Sequence, residues 1–147
     1  MELRKLALAL VVLAACRSAP TTQNGRLSGA PAPRAAVETF LGAVRAQDLQ
    51  AMSNVWGSER GPARDIIPDR AELEKRELVM QCYLTHDKFR ILQDSPGQKD
   101  HQREIRVELT KGDITRATKF TTVRGPAERW YVLEADLEPG KDLCASR

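Results

Sequence analysis

At His86 the spacing of the apolar residues changes, and that change limits the chain to folds that place helices first and a sheet second. Before it, Val37, Phe40, Leu41 and Val44 recur at the i, i+3, i+4, i+7 spacing of one helix face. Pro31 and Pro33 precede the run, and Pro33 suits a first helical turn, where a missing N–H costs nothing. The spacing predicts a helix from about Pro33 to Ala46. Asp48 then stands as the N-cap of a second helix, with Leu49, Met52 and Val55 or Trp56 as its stripe and Gly57 as its end. Residues 58–68, rich in Gly, Pro and charge, read as a connection with a short turn around Asp65, Ile66 and Ile67. Asp69-Arg70-Ala71-Glu72 has the form of a capping box, in which Asp69 accepts a backbone N–H and Glu72 reaches back. Leu73, Glu77, Met80 and Leu84 share the next stripe, with Val79 and Tyr83 beside it, so a third helix is expected from about Arg70 to Leu84.

Past His86 the period falls to two. Phe89 and Ile91 alternate with Lys88 and Arg90, and Ile105, Val107 and Leu109 alternate with Glu104, Arg106 and Glu108. Tyr131, Leu133, Ala135 and Leu137 alternate with Trp130, Val132, Glu134 and Asp136. Such alternation marks strands with one buried face. Lys111-Gly112-Asp113 and Arg124-Gly125-Pro126-Ala127 supply hairpins, and Ser95-Pro96-Gly97 a looser connection. The strand from Ile114 to Val123 alternates poorly and reads as solvated or partner-facing. The expected class is α+β, with three N-terminal helices packed on a curved four-stranded antiparallel sheet.

The start of the chain is a separate problem. Arg4 and Lys5 precede an apolar run from Leu6 to Ala15, which is far short of the roughly 20 residues a spanning helix needs. A basic n-region, a short apolar h-region and small residues before a cut site are the requirements of a secretory signal. Leu13-Ala14-Ala15-Cys16 resembles the lipobox of a bacterial lipoprotein. The resemblance implies cleavage after residue 15 and lipid on the Cys16 sulfur. An ordinary secretory signal, with Cys16 incidental, is the alternative. Two or three acyl chains, at about 0.8 kcal/mol per buried methylene, hold a protein on a bilayer where one does not. Arg17 and Ser18 follow the cysteine, without the aspartate that marks inner-membrane retention in enteric-type sorting, which favours the outer membrane in a host that has one. From Arg17 to about Arg34 the chain has almost no large apolar side chain and reads as a disordered tether. As flexible coil it would hold the domain on the order of 20–25 Å from the lipid surface. The expected organisation is therefore a signal peptide over 1–15, a lipidated cysteine and tether over 16–34, and one domain over 35–147.

Two further runs carry a resemblance to a fold family. Val37-Glu38-Thr39-Phe40-Leu41 and Ala43-Val44-Arg45-Ala46-Gln47-Asp48, with a second helix ending at Val55-Trp56, are similar to the opening of nuclear transport factor 2-like domains. Glu128-Arg129-Trp130-Tyr131-Val132-Leu133, after two strands joined by a Gly-Asp turn, resembles their final hairpin. The resemblance spans about Pro33 to Pro139 and implies a cone whose concave sheet face can form a pocket. It is shared by lipoproteins and by enzymes of the ketosteroid-isomerase and polyketide-cyclase types. The isomerase branch pairs a general-base Asp with Tyr and protonated Asp donors. No residue here falls on that constellation: Tyr83 sits on a helix stripe, and Asp136 lies near a strand end on the face opposite Tyr131 and Leu133. The resemblance also implies that dimers form through the sheet. Trp130 and Val132, assigned to the face away from the helices, are the candidate contact; an exposed aromatic beside Lys and Arg stems is the other reading.

Other chemistries find little support. The chain carries 23 basic and 20 acidic residues, and loss of residues 1–15 leaves about +2, interleaved rather than striped. Nucleic-acid binding wants a one-signed surface and stacking aromatics, so none is expected. His86 and His101 have no Cys or carboxylate cluster to complete a metal site, and neither a Gly-x-Ser-x-Gly elbow nor a Gly-rich phosphate loop occurs, so no metal, catalytic residue or cofactor is assigned. Of the three cysteines, assigning Cys16 to lipid leaves Cys82 and Cys144 as an even pair in an oxidising compartment, and a disulfide follows. A buried thiol at Cys82 and a free one at Cys144 are the alternative. The expectation is a lipid-anchored envelope protein with one non-catalytic domain that binds a protein partner or small ligand. The competing class is a pocket enzyme acting on a small apolar substrate.

Overall fold

Pro33 opens the first helix, α1 (Pro33–Ala46), where the sequence places it, and Gln47 ends it in the left-handed conformation, its N–H reaching back to Ala43 and Val44. A computed structural model describes residues 27–146 of the chain. The lipobox and Cys16 lie outside the described residues. Asp48 caps α2 (Leu49–Val55) by accepting the Ala51 N–H at 2.9 Å. Trp56 turns the backbone into extended form and leads into a miniature hairpin of β1 (Gly57–Ser58) and β2 (Gly61–Pro62). The expected turn near Asp65 is one helical turn, α3 (Ala63–Ile66).

Asp69 caps α4 (Arg70–Tyr83), its carboxylate accepting the N–H groups of Ala71 and Glu72. The other half of the expected capping box is not made. Glu72 instead accepts from Arg76 Nε at 2.6 Å, one turn on, because an (i, i+4) guanidinium offers a charged donor. Four strands follow: β3 (Lys88–Pro96), β4 (Gln102–Lys111), β5 (Ile114–Arg124) and β6 (Trp130–Ala135). They pair antiparallel in sequence order. A short fifth helix, α5 (Lys141–Ala145), lies beyond the expected three and packs against α4.

The helices cover one face of the sheet. Val37, Phe40, Leu41 and Val44 of α1, Met52 and Val55 of α2 and Met80 of α4 meet Ile105, Val107, Leu109, Phe120 and Val132 from the strands. Phe40 and Phe120 pack edge to face, with ring centres 6.3 Å apart. Each such side chain, fully buried, contributes about 1.5–3 kcal/mol. β5 alternates after all: Thr118, Phe120 and Thr122 are buried while Ala117 and Lys119 are exposed. The threonines disguised the pattern, since a buried Thr is admitted once its hydroxyl is bonded, here Thr118 to the Asp136 carbonyl and Thr122 to that of Arg103.

Two expectations are corrected. The first concerns the sheet face. Val132 is 0% exposed and belongs to the core, and Trp130 packs against it half-buried. The register shifts between Thr121 and Thr122, so that Thr121 faces Glu134 and Thr122 faces Val132, leaving Leu133 unpaired. That extra residue reverses the faces, which strict alternation through β6 cannot anticipate. The second concerns the tether, which does not run to residue 34. Ala30 pairs with Trp130 as an isolated bridge, and Arg129 donates to the carbonyls of Ser28 (3.0 Å) and Gly29 (2.8 Å). Gly29 and Gly125 leave room for the Tyr131 ring; a Cβ at either would come within 2.9 Å of it. The Tyr131 hydroxyl meets Ser28 Oγ at 2.7 Å. Small and polar residues are ordered here by what they fit around, not by what they bury.

Candidate functional site

Glu77 is the one buried acid among the described residues, 3% exposed, on the helix stripe that also carries Leu73 and Met80. Its Oε1 has no hydrogen-bond partner among the described residues. A buried acceptor left unpaired costs on the order of 1–3 kcal/mol. The side chain lines a cleft of about 260 Å³ between α2, α3 and α4. Leu49, Gln50 and Ser53 come from α2, Arg64 and Asp65 from α3, and Arg70, Leu73 and Glu74 from α4. The sequence builds this wall by ordinary helix geometry: Arg70, Glu74 and Glu77 stand at i, i+4 and i+7 on one face of α4.

Burial pushes the Glu77 carboxyl up to about 7, the neighbouring Glu74 charge adds to the rise, and the nearby polar groups of Ser53 oppose it. Near neutral pH the group is divided between a neutral acid that can donate and a carboxylate that can only accept. Arg64 is engaged with Asp65 at 3.6 Å. Among the described residues, Arg70 and Glu74 make no ion pair within 4.0 Å. A titratable group moved toward neutrality inside a cleft is a recurrent mark of functional sites.

The space between helices and sheet is filled by the core, Phe40 and Phe120 at its centre. The far face of the sheet is polar, with Arg90 paired to Glu108 at 3.1 Å and Lys119 to Glu104 at 3.3 Å. It holds a broad open groove of about 640 Å³ bordered by Lys99, Glu104, Lys119, Glu134 and Asp136. An exposed apolar strip lies on the helical side. Leu78 and Val79 of α4, beside Ala71 and Tyr83, form a shallow strip next to Cys82 and Cys144.

The residues singled out from sequence fall in separate places. Cys82 and Cys144 are joined as a disulfide, with Cα atoms 4.8 Å apart, tying the C-terminal helix to α4. Gly140 permits that approach, because a Cβ there would collide with the backbone of Tyr83. Val132 is buried in the core and offers no outward contact, while Trp130 packs against the core half-buried. Tyr83 borders the apolar strip, Tyr131 is buried under Ser28, and Asp136 is exposed with its carboxylate on the Glu138 N–H. The isomerase-type pairing of a buried acid with a tyrosine is therefore not assembled from them. His86 is buried, its Nδ1 at 2.8 Å from the Leu84 carbonyl, and burial lowers its pKa. His101 sits 3.4 Å from Glu59 at the surface. Glu77 was not singled out, although an acid on the stripe between Leu73 and Met80 was the available signal.

No protein-family model matches the chain. No curated protein sequence matches it either. Among solved structures, the chain is similar to an NTF-2-like protein of unknown function from Shewanella oneidensis MR-1. The two are 15% identical, the match covers 68% of this chain and 90% of that one, and the TM-score is 0.40.

Proposed function

We propose that this is a lipid-anchored protein of the bacterial cell envelope whose single nuclear transport factor 2-like domain binds a small ligand without transforming it. Four helices, one of them a single turn, preceding a four-stranded antiparallel meander that they cover on one face support the family reading. The short apolar run ending at Cys16 supports the anchor, with the outer membrane favoured in a host that has one. The Cys82–Cys144 disulfide suits an oxidising compartment outside the cytoplasm.

The observation that carries the ligand reading is Glu77, which lines a cleft of metabolite size while its Oε1 is buried without a hydrogen-bond partner among the described residues. A packed interior would have replaced that acid with a leucine; a ligand donor gives it a reason to remain. Binding is favoured over turnover because the cleft brings no tyrosine or histidine to Glu77. Native mass spectrometry of the full chain, isolated oxidised from an envelope and sprayed without denaturation, tests the reading. A small-molecule adduct that Glu77→Gln removes supports it. An adduct-free wild-type spectrum, with acyl mass absent from Cys16, would overturn both the ligand and the anchor.

A further inference from the structure

The charges around the cleft select what can enter it. Glu74, Glu77 and Asp65 supply three carboxyl groups, and Arg64, one of the two arginines, already turns to Asp65. Arg70 also borders the cleft, but it is Glu74 whose charge acts on Glu77, and a cation placed at Glu77 relieves the repulsion between the two glutamates. Oε1 needs a donor, and an ammonium group is three donors with no acceptor. Divalent metal ions prefer several oxygen ligands, and no group of three His, Cys, Asp or Glu side chains with metal-ligand geometry occurs among the described residues. A volume of about 260 Å³ admits a molecule of metabolite size and excludes a folded partner.

We propose that the cleft binds the primary ammonium group of a small molecule, with the Glu77 carboxylate accepting one of its N–H groups. This rests on the small-ligand reading above. Binding a cation requires the carboxylate, so affinity rises as Glu77 ionises. The other charged groups facing Glu77 are Arg64 and Asp65 from α3 and Arg70 and Glu74 from α4, while α2 contributes the uncharged Leu49, Gln50 and Ser53.

The test is a titration of the ¹⁵N-labelled, oxidised full chain in detergent micelles, followed by amide shifts. Ethylammonium chloride, ethanol and sodium propionate are each added up to about 100 mM, which reaches millimolar affinities comfortably. Ethylammonium is expected to move the Ser53, Arg64 and Glu77 amides saturably. With a carboxyl pKa of about 7, its affinity should rise about tenfold between pH 6 and pH 8. Glu77→Gln should remove that rise; the pH series on the wild-type chain stands by itself if the variant folds poorly. Ethanol or propionate moving the same amides as strongly, or ethylammonium binding equally at both pH values, overturns the ammonium assignment and leaves ligand binding intact. No saturable shift with any of the three overturns both.

Discussion

Replacing Glu77 with Gln should make the protein more stable, and increasingly so as the pH rises. The carboxyl is raised from 4.5 to about 7 in the folded state. Between those values the native chain holds a proton that the unfolded chain has lost, so stability falls as the pH climbs through this window. At about 1.36 kcal/mol per pKa unit, the full penalty is about 3 kcal/mol above pH 7, and under about 1 kcal/mol at pH 5. Gln has nearly the same shape and cannot ionise, so it escapes the penalty. Urea unfolding of wild type and variant, followed by the fluorescence of the half-buried Trp56 and Trp130, gives the difference directly. Carboxylates that do not interact with Glu77 contribute equally to both proteins and cancel in the comparison, leaving the Glu77 charge and its coupling to Glu74. The expected gain for Glu77→Gln is about 3 kcal/mol at pH 8, shrinking to about 1 kcal/mol or less at pH 5. A difference that does not change with pH, or a variant weaker at pH 8 than at pH 5 relative to wild type, would show that Glu77 is not held as a strained acid.

Cys144→Ser should lower stability by up to about 4 kcal/mol, because the bridge closes a loop of 62 residues; wild type unfolded under reducing conditions should then match the variant. Gly140→Ala forces a methyl group against the Tyr83 carbonyl and should cost about 1–3 kcal/mol in thermal unfolding, whereas Gly42→Ala, in the middle of α1 with nothing within 4 Å of the new Cβ, should gain about 0.5–1 kcal/mol. Equal effects at the two glycines would contradict the packing described at the α4–α5 junction.

Local chemistry made the element order readable. Pro33, Asp48 and Asp69 start helices through backbone groups within one turn of themselves, and such signals survive any tertiary arrangement. The β4 alternation of Ile105, Val107 and Leu109 gave its buried face for the same reason. What the sequence hid depends on distant partners. The bulge at Leu133 is set by the register with β5, and it moved Trp130 and Val132 from the outer face to the core. Ser28 and Gly29 look like tether until Tyr131 and Arg129 are seen to hold them. Glu77 was visible as a misfit on an apolar stripe, but only α2 and α3 folding over it turn a misfit into a cleft.

The attachment of Ser28–Ala30 to β6 also decides how force reaches the domain. Any pull transmitted through Leu27 arrives, before α1 is loaded, at the Asn54 carbonyl of α2, which accepts the Gly29 N–H, and at the Arg129 guanidinium and the Ala30–Trp130 bridge. That bridge lies on the outer strand of the sheet, and Trp56 braces the same strand through its bridge to Val132. Asn54 adjoins Ser53 on the wall of the Glu77 cleft, so a load at this joint is shared between the sheet edge and the helix that borders the cleft.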